Sequence, residues 1–140
     1  MTIGRPPSGP RISIERVYAR SAGPGGSTFL VDGLWPRGVR KRDLAPVTWL
    51  PEVAPSHELR EWFGHRPERW TGFQRRYRLE LRAHPEAWQP LVAAIREGPI
   101  VLYYAARDPE HNNAVALRSF LLLQMRRSLG AIRRSGPPRS

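Results

Sequence analysis

The run Ile100-Val-Leu-Tyr-Tyr104 restricts the fold more than any other segment of this chain. Successive side chains of a strand point to opposite faces, so five apolar residues in a row need cover on both sides. That is the pattern of a central strand in a parallel sheet, whose crossover connections lay helices on its faces. Further along, Asn113 to about Met125 is apolar almost all round, which predicts a buried helix.

The rest of the chain supplies the other layers. Ile12, Ile14, Val17 and Tyr18 predict a first strand, and Phe29-Leu-Val31 a second, ended by Asp32. Between them, Ser21 to Ser27 is rich in Gly and Pro and reads as a loop, as does Gly33 to Asp43 with its basic Arg40-Lys-Arg42. Ser56 is a good N-cap for a helix carrying Leu59, Trp62 and Phe63, closed by Gly64. Pro67 and Pro85 each stand at a favoured first helical position. The stripe Trp70, Phe73, Tyr77, Leu81 follows the first, and Trp88, Leu91, Val92, Ile95 the second, with Gly98 as its end. Strands, then helices, then a buried strand feeding a helix predict a small three-layer α/β domain, with a short, mostly parallel sheet and helices on both faces.

At 140 residues the chain has the length of one domain, expected over 11–125. Residues 1–10 and 126–140 are expected to be disordered tails, the second of them basic. The net charge of +11 concentrates there. Residues 15–123 hold sixteen basic and twelve acidic side chains, an excess of only +4. Such arms suit either simple solubility or contact with nucleic-acid phosphates. The absence of cysteine excludes thiol nucleophiles, thiolate metal sites and a disulfide framework, and fits a cytoplasmic protein. No apolar run is long enough for a membrane span, so no membrane partner is expected.

In an open α/β sheet, ligands bind beyond the carboxyl ends of the strands. Two such ends are chemically unusual. One is Asp32-Gly-Leu-Trp35-Pro-Arg37-Gly38; the other, between the central strand and the buried helix, is Arg107-Asp-Pro-Glu-His111-Asn112. Arg37 and Arg107 would hold an anion by paired hydrogen bonds, with Asp32 and Asp108 orienting them and the positive end of the helix adding to the attraction. His111 or His65 would exchange the proton in any catalysis. Trp35 lies in a loop rather than at helical core spacing and belongs to the same ligand-binding set, with Asn112. The plainer alternative is that Asp108 and Asn112 only cap the helix, Arg107 pairs with Asp108, and His65 is a turn histidine. The flank Arg75, Arg78, Arg82 reads as a solvated helix face. The histidines, at 57, 65, 84 and 111, have no metal-ligand spacing, and no nucleotide-binding glycine motif occurs, so neither metal nor cofactor is expected.

With these motifs in view, the chain resembles the domain-of-unknown-function 488 family, in its YeaO-like branch, from about Arg16 to Leu122. The resemblance rests on Arg16-Val-Tyr18, Leu30-Val-Asp32, Leu34-Trp-Pro-Arg-Gly38, Ala54-Pro-Ser56, Glu58-Leu-Arg60, Trp62-Phe-Gly-His65, Pro67-Glu-Arg-Trp70, Tyr104-Ala-Ala-Arg-Asp108 and Glu110-His-Asn112. It implies a Rossmann-like α/β domain and no established activity. The family pattern has arginine at Gly33, an acid at Val47, lysine at Pro51 and an acid at Arg66, so this chain has lost or reversed charge at four positions. The reading that follows is a domain binding a small anionic, nucleotide-like ligand at the strand ends. The alternatives are a nucleic-acid-binding accessory protein using basic arms, and a non-catalytic interaction module.

Overall fold

A computed structural model of the chain describes residues 12–20, 27–44 and 46–135, with side chains as far as Arg127. In chain order the elements are β1 (Ile12–Arg16), β2 (Ser27–Leu30), α1 (Lys41–Leu44), β3 (Thr48–Trp49), α2 (His57–Phe63), α3 (Trp70–Ala83), α4 (Pro85–Glu97), β4 (Ile100–Tyr104) and α5 (Asn113–Ser135). The four strands form one sheet in the order β1-β4-β2-β3, and every pairing is parallel. β4 pairs with β1 from Ile12↔Ile100 to Arg16↔Tyr104, and with β2 from Ser27↔Ile100 to Leu30↔Tyr103. All five of its residues are buried, as the apolar run demands.

The alternation of β4 divides the core in two. Ile100, Leu102 and Tyr104 pack with Phe63, Phe73, Tyr77, Leu91, Ile95, Leu117 and Phe120 from α2 to α5. Val101 and Tyr103 face the other way, onto Val17, Leu30 and Leu44, under the segment holding Trp35, Val39 and Val47. The domain is therefore three-layered α/β, with the long helices on one face and α1 with its flanking chain on the other.

Helix ends follow local chemistry. The Ser56 hydroxyl accepts from the Leu59 amide at 3.1 Å, and Gly64, at φ 53°, closes α2 in the left-handed conformation glycine favours. Glu80 on α3 accepts from both the amide and the hydroxyl of Ser56, tying the start of α2 to α3. The Tyr77 hydroxyl donates to the Val53 carbonyl in the core.

Several boundaries differ from the sequence reading. Ser27 opens β2 rather than closing a loop, and Val17–Ala19 is a 3-10 turn rather than strand. Pro67–Arg69 is likewise a 3-10 turn, and α3 starts after it at Trp70. The predicted loop 33–43 ends in α1, because the Asp43 carboxylate accepts from the Arg40 amide at 3.2 Å and stabilises one helical turn. β3 is two exposed residues, too short for a periodic signal. α5 runs to Ser135, so residues 126–135 of the expected basic tail are helix. No proline interrupts them and arginine and leucine favour helix, which one glycine does not overcome. Residues 1–10 and the loop segment 21–26 lie outside the described residues.

Candidate functional site

Because the strands are parallel, their carboxyl ends emerge together. A cleft of about 440 Å³ opens there, and every strand contributes to it: Tyr18 after β1, Asp32 to Arg37 after β2, Ala54 and Pro55 after β3, and Ala105, Ala106 and His111 to Asn113 after β4. Arg60 and Phe63 of α2, His65, and Phe73 of α3 complete it.

Asp32 is a bracket between two strand ends. The Val31 amide makes the last rung to Tyr103 O at 3.1 Å, and the Asp32 side chain then turns toward β4. Its Oδ2 accepts from the Ala105 amide at 2.9 Å and its Oδ1 from Asn113 Nδ2 at 3.1 Å. The same amide nitrogen donates to Val31 O at 3.0 Å. Burial pushes the Asp32 carboxyl above its usual 3.8; the Asn113 and Ala105 hydrogen bonds and the positive charge of Arg60 oppose that rise without cancelling it. Asp32 thus holds chain segments, not an arginine.

The loop that follows is pinned by aromatic side chains donating to its carbonyls. Trp35 Nε1 donates to Val39 O at 2.6 Å, Trp49 Nε1 to Asp32 O at 2.8 Å, and the Tyr18 hydroxyl to Arg37 O at 2.9 Å. The rings of Trp35 and Trp49 meet edge to face at 5.5 Å. Trp35 therefore lines the cleft with its ring while its N–H is engaged, and the exposed Arg37 stands on the same wall.

The β4 end carries its own anion. Asp108 accepts from the Glu110 amide at 2.9 Å and the His111 amide at 3.1 Å, and pairs with His111 Nδ1 at 2.8 Å. These donors hold its carboxyl below 3.8, the Glu110 amide most of all. Asn112, only 2 % exposed, caps α5: its Oδ1 accepts from the Val115 amide at 3.0 Å, while its Nδ2 donates to Asp108 O at 2.9 Å. With Nδ1 engaged by Asp108, and Trp70 edge-on at 5.2 Å, His111 has Nε2 left for the cleft. The capping alternative holds for Asn112, but Asp108 pairs with His111 and not with Arg107. Arg107 is exposed and is not among the residues lining the cleft. Of the predicted set, the cleft thus gathers Asp32, Trp35, Arg37, His65, His111 and Asn112, with Asp108 behind His111 and Arg107 apart.

Two further residues escaped the sequence reading. Asn113 is one; Arg60 is the other. The Arg60 Nε is buried and has no hydrogen-bond partner among the described residues. Its guanidinium carbon and Nη1 lie 3.7 Å from the point where a Cβ on Gly33 would stand. The available signal was positional: Arg60 sits one turn before buried Phe63, so the two share a helix face. His65 is held at φ 56°, a left-handed conformation costly for a side chain with a Cβ, directly after left-handed Gly64. Phe63 and Phe73 stack at 4.5 Å as the apolar floor. Among the described residues no three histidines, aspartates or glutamates come together as metal ligands. No helix is long and apolar enough to cross a membrane, again among the described residues.

These features define the class: an all-parallel α/β domain with a largely apolar cleft, edged by charged groups, across its strand ends. The chain belongs to the DUF488 family, for the family model described as "Inactive DUF488-N3 subclade" matches residues 11–139. It is 36 % identical over 110 residues to the uncharacterized protein YeaO of Escherichia coli (strain K12), covering 79 % of this chain and 96 % of that protein. It is 46 % identical over 71 residues to the uncharacterized proteins Mb3100c of Mycobacterium bovis and Rv3073c of Mycobacterium tuberculosis, covering 51 % of this chain and 60 % of each. No solved structure matches it.

Proposed function

We propose that this domain binds a small organic anion in the strand-end cleft and does not turn it over. The observation that carries the reading is Arg60, a cation reaching into a concave, largely apolar cleft with a buried Nε that no group among the described residues satisfies. A buried donor without an acceptor leaves the guanidinium short of a partner within the fold, and an anion meeting its cleft-facing end gains a charge-assisted hydrogen bond. Arg37 on the same wall adds a second positive charge, and Asp32 competes little because both its oxygens already accept hydrogen bonds within the fold. The cleft volume falls in the range of small-molecule sites and suits a ligand of mononucleotide size or smaller.

Binding without turnover is favoured by two observations. The matched family model carries the word inactive. Among the described residues the cleft also offers no serine or threonine hydroxyl as a nucleophile, so the Asp108–His111 pair finds no such side chain there to activate. A cysteine-free chain suits the reducing cytoplasm, where we place this binding. Thermal melts with phosphate, a nucleoside monophosphate and an aromatic carboxylate test the reading. At least one should raise the melting temperature of the wild type, and none that of Arg60→Met. An equal response from both proteins would remove Arg60 from the site and refute the reading.

A further inference from the structure

The usual seat for an anion in such a fold is the first turn of the helix after the central strand. Here one amide of that turn, and the donors just before it, are engaged from within. The Glu110 and His111 amides point at Asp108, the Val115 amide at Asn112 Oδ1, and the Ala105 amide at Asp32. A phosphate, which is best held by several N–H groups converging on it, finds these donors engaged. The same cleft is lined by the guanidinium of Arg60 and by the stacked rings of Phe63 and Phe73.

Gly33 forms the wall against that guanidinium. Its backbone is not among the left-handed glycines, so its conformation does not require glycine. A Cβ there would meet Ala54 Cβ at 3.5 Å and the Arg60 guanidinium at 3.7 Å, both ordinary contacts. Neither strain nor crowding explains the missing side chain, but its absence leaves the guanidinium open to the cleft. A longer side chain would stand in front of it.

Resting on the binding reading above, we infer that the cleft selects a planar organic carboxylate with a flat apolar body, and that Gly33 is the specificity-determining residue that admits it. A carboxylate matches the fork of a guanidinium with two parallel hydrogen bonds, and one cation suffices for its single charge. Arg60 offers Nη1 beside Gly33, and Nη1 with Nη2 forms the end-on fork that meets the two carboxylate oxygens. The ring of the ligand then lies against Phe63 and Phe73.

The test is an NMR titration of the full chain with three probes sharing one ring: benzoate, benzamide and phenyl phosphate. Benzoate is expected to bind about tenfold or more tightly than either of the others, a margin that one charge-assisted paired contact supplies. Gly33→Val should weaken benzoate about tenfold with an unchanged melting temperature, and Gly33→Ala should weaken it less while keeping the fold in any case. Gly33→Glu should abolish binding and raise the melting temperature, because its own carboxylate takes the place of the ligand. Benzoate affinity that Gly33→Ala, Gly33→Val and Gly33→Glu all leave unchanged would overturn the role of Gly33. Phenyl phosphate binding tighter than benzoate, with dependence on Arg60, would overturn the carboxylate class while leaving the anion site standing. If no probe, inorganic phosphate included, binds in an Arg60-dependent way, the underlying reading fails as well.

Discussion

Asp32 and Asp108 each stand a few residues beyond the end of a strand on one side of the sheet, yet their environments treat the carboxyl group in opposite ways. Asp32 at the end of β2 is walled in, and burial raises its carboxyl above 3.8 despite two hydrogen bonds and a nearby arginine. Asp108 beyond β4 is solvated, and the amides of Glu110 and His111 lower its carboxyl below the same reference. Identical chemistry thus serves as a structural bracket in one place and as a charged partner for histidine in the other. The difference lies in burial, which outweighs the hydrogen bonds at Asp32 and is outweighed by them at Asp108.

The comparison can be broken at several points. Asp32→Ala is expected to have the largest effect, a loss of about 2–3 kcal/mol, since it strands the Ala105 amide and takes one of the two acceptors of Asn113 Nδ2. A carboxyl raised in the folded state contributes stability that is full below 3.8 and fades as pH rises through its folded value. The penalty should therefore shrink between acidic and neutral pH in urea titrations of both proteins. A penalty that grows with pH would show that Asp32 acts as a favourable charge after all.

Asn112→Ala comes next, at about 1–2 kcal/mol, for it removes the α5 cap and the hydrogen bond to Asp108 O. Asp108→Asn should matter chiefly in acid. A lowered carboxyl contributes stability above 3.8 that is lost as pH falls through its folded value, so the variant's melting temperature should fall less steeply below about pH 4 than the wild type's. Parallel acid limbs would mean that the Asp108–His111 pair contributes nothing. Arg60→Met should be the smallest change, within about 0.5 kcal/mol, because the guanidinium has an unsatisfied Nε to lose and a methionine fills similar space. A large loss of stability would show that Arg60 serves the fold.

What sequence could and could not reveal follows from range. Pro85 at the start of α4, Ser56 and Gly64 around α2, and the apolar run of β4 act within a few residues, and each was readable. The end of α5 was missed because no proline or cap marks it before Ser135. At the site, clustering at the strand ends was readable because any parallel sheet brings those ends together. Asn113 was passed over for its neighbour Asn112, since which of two adjacent amides reaches Asp32, 81 positions away in sequence, depends on the entry angle of the helix. Arg60 looked like one more polar residue of an amphipathic helix; only the approach of Gly33 gives it a setting. Arg107 looked like the natural anion receptor, but the turn that seats Asp108 on the amides of residues 110 and 111 leaves Arg107 outside the cleft.

The strand order has a consequence for how the chain assembles as it is made. β4 lies between β1 and β2, so those two strands have no partner in common until residues 100–104 have left the ribosome. Until then β1 has no strand to pair with, and β2 has only the two residues of β3. Roughly the first three quarters of synthesis is therefore spent with apolar strand edges unpaired, and closure must wait for contacts between residues 88 positions apart. The α2–α4 segment, whose contacts are local, can gather first and serve as the surface on which β4 completes the sheet.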